Sequence, residues 1–101
     1  MKVYWTAEAR ARLLEIQTYI AKDSPQAARQ VTARLLRRSR KLATPPLTGR
    51  RLPEYSDEDL REVLEQPFRL IYLVTPERIE IVTLKHYRQK LPADSQQLSS
   101  H

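Results

Sequence analysis

The sequence predicts an α+β domain in which a helical hairpin packs on an antiparallel sheet, in the order β-α-α-β-β-β. Three observations predict it. Two stretches carry apolar residues at helical spacing, and only Asp23-Ser24-Pro25 separates them. The stretch from Leu60 to Arg88 holds the densest run of strand-forming residues in the chain. Within it a short polar connection, Thr75-Pro76-Glu77-Arg78, leads into the last strand-forming segment, Ile79 to His86.

Lys2 to Trp5 is a short strand of β-branched and aromatic residues. Thr6 is placed to cap the first helix, with Glu8 in its favourable first turn. Ala9, Leu13, Ile16 and Ile20 follow at spacings of 4, 3 and 4, which gives one apolar stripe. Ser24 is a good cap for the second helix, and Pro25 fits its first position. Ala28, Val31, Leu35 and Leu42 form its stripe, with Ser39 in the missing turn. So short a joint between the helices predicts an antiparallel hairpin.

Thr44 to Asp59 is a loop. Pro45-Pro46 ends the helix, Gly49 permits a turn, and Pro53 discourages regular structure. Leu60 to Glu65 is the second strand, and Gln66-Pro67 marks a bend. Phe68 to Val74 is the third strand. Phe68, Leu70, Tyr72 and Val74 share one face, and Arg69, Ile71 and Leu73 share the other. In the fourth strand, strict alternation puts Ile79, Ile81 and Thr83 on one face and Val82 and Leu84 on the other. A sheet apolar on both faces needs covering. Residues 1–90 make one domain, and residues 91–101, polar and rich in Ser and Gln, read as a flexible tail.

With 101 residues, the chain is one small domain. It has no cysteine, so thiolate chemistry and disulfides are excluded. Two histidines, one of them at the end, argue against a metal site, and a single glycine excludes a glycine-rich phosphate loop. No cofactor is expected. Nothing in the sequence resembles a signal region or a membrane span, so a soluble cytoplasmic protein is expected. The net charge of +6 is unevenly placed. Residues 24–53 carry 8 basic and no acidic groups, whereas residues 54–65 carry 1 basic and 6 acidic. Such a basic lobe suits a polyanion or an acidic partner.

The candidate functional residues are polar groups that break the apolar pattern. Arg34, Arg37, Arg38 and Lys41 form one face of the second helix, with no acidic residue to offset them. This face is either simply solvated or a docking surface for phosphates or an acidic segment. Arg69 is a cation in an apolar strand and needs an anionic partner. Glu54 or Glu62 can supply it structurally, and a phosphate or acidic ligand can supply it functionally. Lys85, His86, Tyr87 and Arg88 close the last strand. RNA cleavage needs a base, an acid and a cation around one phosphate. Glu54, His86 or Tyr87 could move protons, and Arg69 and Arg88 could hold charge.

At these residues the chain resembles the ParE/RelE superfamily of type II toxins, over roughly residues 2–90. The supporting features are YIAKDSPQAARQ across the helix turn, GRRLPE in the loop, LRE, FRLIYLV, and the H-x-R ending at His86 and Arg88. The resemblance implies a toxin held inactive in a hetero-oligomer by a cognate antitoxin, with a role in plasmid stabilisation. ParE-like members inhibit DNA gyrase without cleaving RNA. RelE-like and YoeB-like members cut messenger RNA on the ribosome. Compact YoeB-like nucleases end in His-Tyr, and an ungapped match puts Tyr87 and Arg88 there, so His86-Tyr87 is one residue out of step. In a strand, one residue is the opposite face. A β-bulge would restore the step, and nothing in the sequence demands one. The ending and the long hairpin favour the ParE-like branch: a gyrase inhibitor that works by binding, with no catalytic residues of its own. The alternative is a ribosome-dependent mRNA endonuclease using Glu54, Arg69, His86, Tyr87 and Arg88. In the first reading Arg34, Arg37, Arg38, Lys41, Arg69, His86 and Arg88 contact the target or the antitoxin.

Overall fold

A computed structural model of the chain describes residues 1–43, 49–55 and 58–99. Strand β1 (Lys2–Trp5) leads into helices α1 (Ala7–Ala21) and α2 (Pro25–Arg40). The short strand β2 (Arg50–Arg51) precedes β3 (Leu60–Glu65), β4 (Phe68–Val74) and β5 (Arg78–His86). The five strands form one sheet in the order β1-β5-β4-β3-β2. The α+β architecture and the helical hairpin are as the sequence predicts.

Local sequence accounts for both helix starts. The Thr6 hydroxyl accepts the Ala9 amide at 3.1 Å, and the Ser24 hydroxyl accepts the Ala27 amide at 3.1 Å. Arg12 bridges Glu8 at 2.7 Å and Glu15 at 2.5 Å along α1. The apolar stripes of both helices meet one face of the sheet. Ala9, Leu35, Leu42, Val63, Leu70, Tyr72, Ile79, Ile81 and Leu84 are buried there. Covering an aliphatic side chain such as Leu35 contributes about 1.5–3 kcal/mol. Ser39, buried in the stripe, accepts from Trp5 Nε1 at 3.2 Å and donates to the Leu36 carbonyl at 2.7 Å. It thereby ties α2 to β1.

The sheet differs from expectation in three ways. It is mixed rather than wholly antiparallel, because β1 pairs with β5 in parallel. Strands joined by hairpins are forced to be antiparallel, but β1 reaches its neighbour through the helical layer and escapes that constraint. Second, the expected loop contains β2, whose Arg50 and Arg51 pair with Glu62 and Arg61. Third, β5 carries a bulge. Ile71 pairs with Thr83 but Tyr72 pairs with Ile81, so Val82 has no partner on β4. Beyond Val82 the alternation is reversed. Leu84 joins Ile79 and Ile81 in the helix-facing core, and Thr83 lies opposite Ile71 on the outer face.

The outer face has its own apolar cluster of Leu52, Tyr55, Leu60, Ile71 and Leu98, flanked by Leu73, Val82 and Leu91. Its cover is local chain rather than helix. The stretch from Leu91, which reads from composition as a flexible tail, crosses this face and ends in a short 3₁₀ turn, Ser95–Ser99. Leu98 is fully buried, the Tyr55 hydroxyl donates to the Pro92 carbonyl, and the Ser95 hydroxyl donates to Glu58 at 2.7 Å. Isolated apolar residues in a polar segment give no periodic signal, yet they suffice when a complementary surface is already built.

Candidate functional site

The bulge in β5 decides where the polar strand end points. It sits where β1 gives way to α1, and Thr6 holds it. The Thr6 amide donates to the Ile81 carbonyl at 3.2 Å, and its hydroxyl lies 2.8 Å from the Ile81 carbonyl and 3.2 Å from that of Val82. One residue therefore caps α1 and occupies carbonyls that the reversed strand exposes. Thr6→Val, which keeps shape but loses the hydroxyl, is expected to cost about 1–2 kcal/mol. It should also speed amide exchange at Val82 and Thr83 more than in β4, whereas Thr6→Ser stays close to the parent. Equal behaviour of the two variants in urea melts and hydrogen exchange would refute the anchoring role.

Past the bulge, His86 stands opposite Phe68 on the helix side. Its ring meets Phe68 edge-on at 6.1 Å and stacks on Tyr87 at 4.9 Å. Nδ1 accepts the Arg88 amide at 3.2 Å, so the neutral ring carries its proton on Nε2. His86, Pro67 and Phe68 form one wall of a groove of about 470 Å³. Glu15, Ile16, Tyr19 and Ile20 of α1 and Val31 of α2 form the rest. The groove is open and almost entirely apolar. Tyr19 and Leu14 continue the apolar surface outward, with 73% and 62% exposure. The periodic pattern assigns Ile20 and Phe68 to the core and passes over Tyr19. The available signal was that Tyr19 and Leu14 are large apolar residues off the stripe.

Arg69 points to the other face. Its guanidinium meets Glu62 at 2.5 Å, and Nη1 donates to the Gln89 carbonyl at 3.1 Å. Glu62 also takes Arg50, at 2.7 Å. Of the two carboxylates that the sequence offers Arg69, the structure uses Glu62, which faces Ile71 across the strands and so shares the outer face. Burial alone would raise the Glu62 carboxyl. Hydrogen bonds and charge from Arg69 and Arg50 outweigh that and hold it below its ordinary value of 4.5. The side chain of Glu54 lies outside the described residues.

Tyr87 and Arg88 are exposed just past β5, and Arg88 Nε donates to the Tyr87 hydroxyl at 2.9 Å. The bulge needed to bring the strand end into step for a nuclease is thus present. Its effect is to carry His86 to the face opposite Arg69. Lys85, not His86, pairs with Arg69 across the strands.

The three arginines of α2 and Lys41, which caps its C-terminal end, do come together. Arg34, Arg37, Arg38 and Lys41 line one shallow depression with Glu65. Arg38 and Arg50 line the next, with Glu62, Val63 and Leu64. Arg34 stands between this stripe and the apolar groove, since its Nη2 donates at 3.3 Å to the carbonyl of Gln66, beside Pro67. Basic stripe and apolar groove are neighbours rather than one site.

Comparison with known proteins gives three findings. The family model described as "ParE toxin of type II toxin-antitoxin system, parDE" matches residues 3–91. A Sinorhizobium fredii protein named "Putative toxin Y4kP" is 35% identical over 91 residues, spanning 90% of this chain and 93% of that one. A solved structure described as "Chromosomal ParDE TA system from P. aeruginosa" has the same fold, with a TM-score of 0.69. At 22% identity, that match covers 85% of this chain and 95% of the other.

Proposed function

This chain belongs to the ParE toxin family of type II toxin–antitoxin systems, and from that premise we propose that it acts in the cytoplasm by binding and inhibiting DNA gyrase. The observation that carries the reading is the separation of His86 from Arg69. Attack by a 2′-hydroxyl needs proton-transfer groups and a cation around a single phosphate. His86 opens into an apolar groove on the helix side, while Arg69 is held on the outer face by Glu62 and the Gln89 carbonyl. This distribution suits a binding toxin better than a nuclease.

A toxin of this family has an antitoxin partner. The groove between α1, α2 and β4 offers it a seat. A segment disordered when free, with spaced apolar anchors, would fold there as a helix or an added strand. The apolar walls would supply most of the affinity, because exposed charge pairs add only about 0–1 kcal/mol each.

The test of the gyrase reading is a supercoiling assay with purified toxin, gyrase and relaxed plasmid. Micromolar toxin is expected to block supercoiling or to trap cleaved DNA on the enzyme. Intact supercoiling together with cutting of ribosome-bound mRNA would overturn the reading in favour of the endonuclease.

A further inference from the structure

We propose that the basic stripe of α2, extended by Arg50, is a contact surface for the phosphate backbone of duplex DNA. The charge is concentrated and largely uncommitted. Among the described residues the side chains of Arg37, Arg38 and Lys41 make no ion pair or hydrogen bond, and no acidic residue lies between residues 24 and 53. Arg50 shares its guanidinium with Glu62 but is 59% exposed on its side chain, and it adjoins Arg38. Glu65 is, among the described residues, the single carboxylate in the depression with Arg37 and Lys41, so the local balance stays positive. From Arg34 to Lys41 the helix advances about 10 Å, a length over which one strand of a duplex presents about three phosphates.

The composition of the patch selects this occupant over an acidic polypeptide. Protein segments gain affinity from buried aromatic and aliphatic anchors. Among the described residues, the depression formed by Arg34, Arg37, Arg38, Lys41 and Glu65 has no such wall, the adjoining one at Arg50 offers only the aliphatic Val63 and Leu64, and the apolar groove is a separate place. A phosphate backbone needs only positioned cations. The depression also lacks, among the described residues, aromatic rings on which unstacked bases could lie, which favours duplex over single-stranded nucleic acid. Such a contact carries no sequence preference and does not depend on which enzyme the toxin inhibits.

The experiment is fluorescence anisotropy of a labelled duplex of about 20 base pairs, titrated with the purified full chain across a salt series. The triple variant Arg37→Gln, Arg38→Gln, Lys41→Gln is expected to bind at least about tenfold more weakly at low salt and to flatten the salt slope by about 2.7. Thermal melts should stay near those of the parent. Replacing the same three residues by arginine or lysine of unchanged charge should keep binding. A charge-matched control, Lys2→Gln, Arg10→Gln, Lys90→Gln, should keep most of the slope. Binding that is insensitive to salt, or equally weakened by the control, would overturn the proposal. Equal affinity for a polyglutamate chain of the same charge would overturn it too and assign the stripe to an acidic protein segment.

Discussion

Glu62→Gln is expected to destabilise the fold by about 3 kcal/mol, the typical cost of leaving a buried charge without its partner. The Arg69 side chain is only 12% exposed and the Glu62 side chain 10% exposed, so water cannot readily replace the lost carboxylate. Arg69 would keep one bond, to the Gln89 carbonyl. Arg50 can swing into solvent and should suffer less. The effect depends on pH, and its sign follows from the lowered Glu62 pKa. The folded state holds the carboxylate more strongly than the unfolded chain does. Its contribution is therefore complete above the ordinary value of 4.5 and fades as pH falls through the lower folded value. Urea melts of parent and variant should differ most near neutral pH and converge in acid. A gap that stays constant down to about pH 3 would show that the loss is one of packing rather than charge.

Gly49→Ala should cost about 2–3 kcal/mol, at the upper end for overpacking by one methyl group. A Cβ at position 49 would fall 1.9 Å from the Tyr72 hydroxyl oxygen and 2.6 Å from its Cζ. Tyr72 is fully buried in the central strand β4 and has no room to yield. The sequence assigns this glycine to a turn, but its backbone φ is not positive. The structure requires glycine for close approach instead. Among the described residues the buried hydroxyl has no partner of good hydrogen-bond geometry, so Tyr72→Phe alone should cost less than about 1 kcal/mol. Phenylalanine also removes the worst overlap. The double variant should therefore recover about 1 kcal/mol of the alanine penalty, read as a coupling in a double-mutant cycle. Strict additivity of the two changes would sink the contact explanation.

Most local structure could be read from the chain itself. Ser24 and Pro25 start α2 wherever the helix packs, because the cap and the fixed proline φ act within one turn. The stripes of Ala9, Leu13 and Ile16 and of Val31 and Leu35 face the sheet as their spacing requires. Thr75 closes the β4–β5 hairpin by bonding Arg78 in both directions, again over three residues. The basic stripe is equally local, since residues 34, 37, 38 and 41 share a helix face by geometry.

The direction in which the strand end points was not local, and only the tertiary structure decided it. Side chains alternate along a strand, so a single unpaired residue reverses every later one. That residue is Val82, and its own carbonyl and that of Ile81 meet the hydroxyl of Thr6, 76 and 75 positions away. Sequence alone therefore determined two capped helices, a hairpin of strands and a concentrated positive charge. The fold decided that β1 enters in parallel, that Arg69 finds Glu62, and that His86 faces the helices. The first and last depend on hydrogen bonds between residues distant in sequence, and the ion pair on the register of β3 against β4, none of which exists before the sheet is assembled.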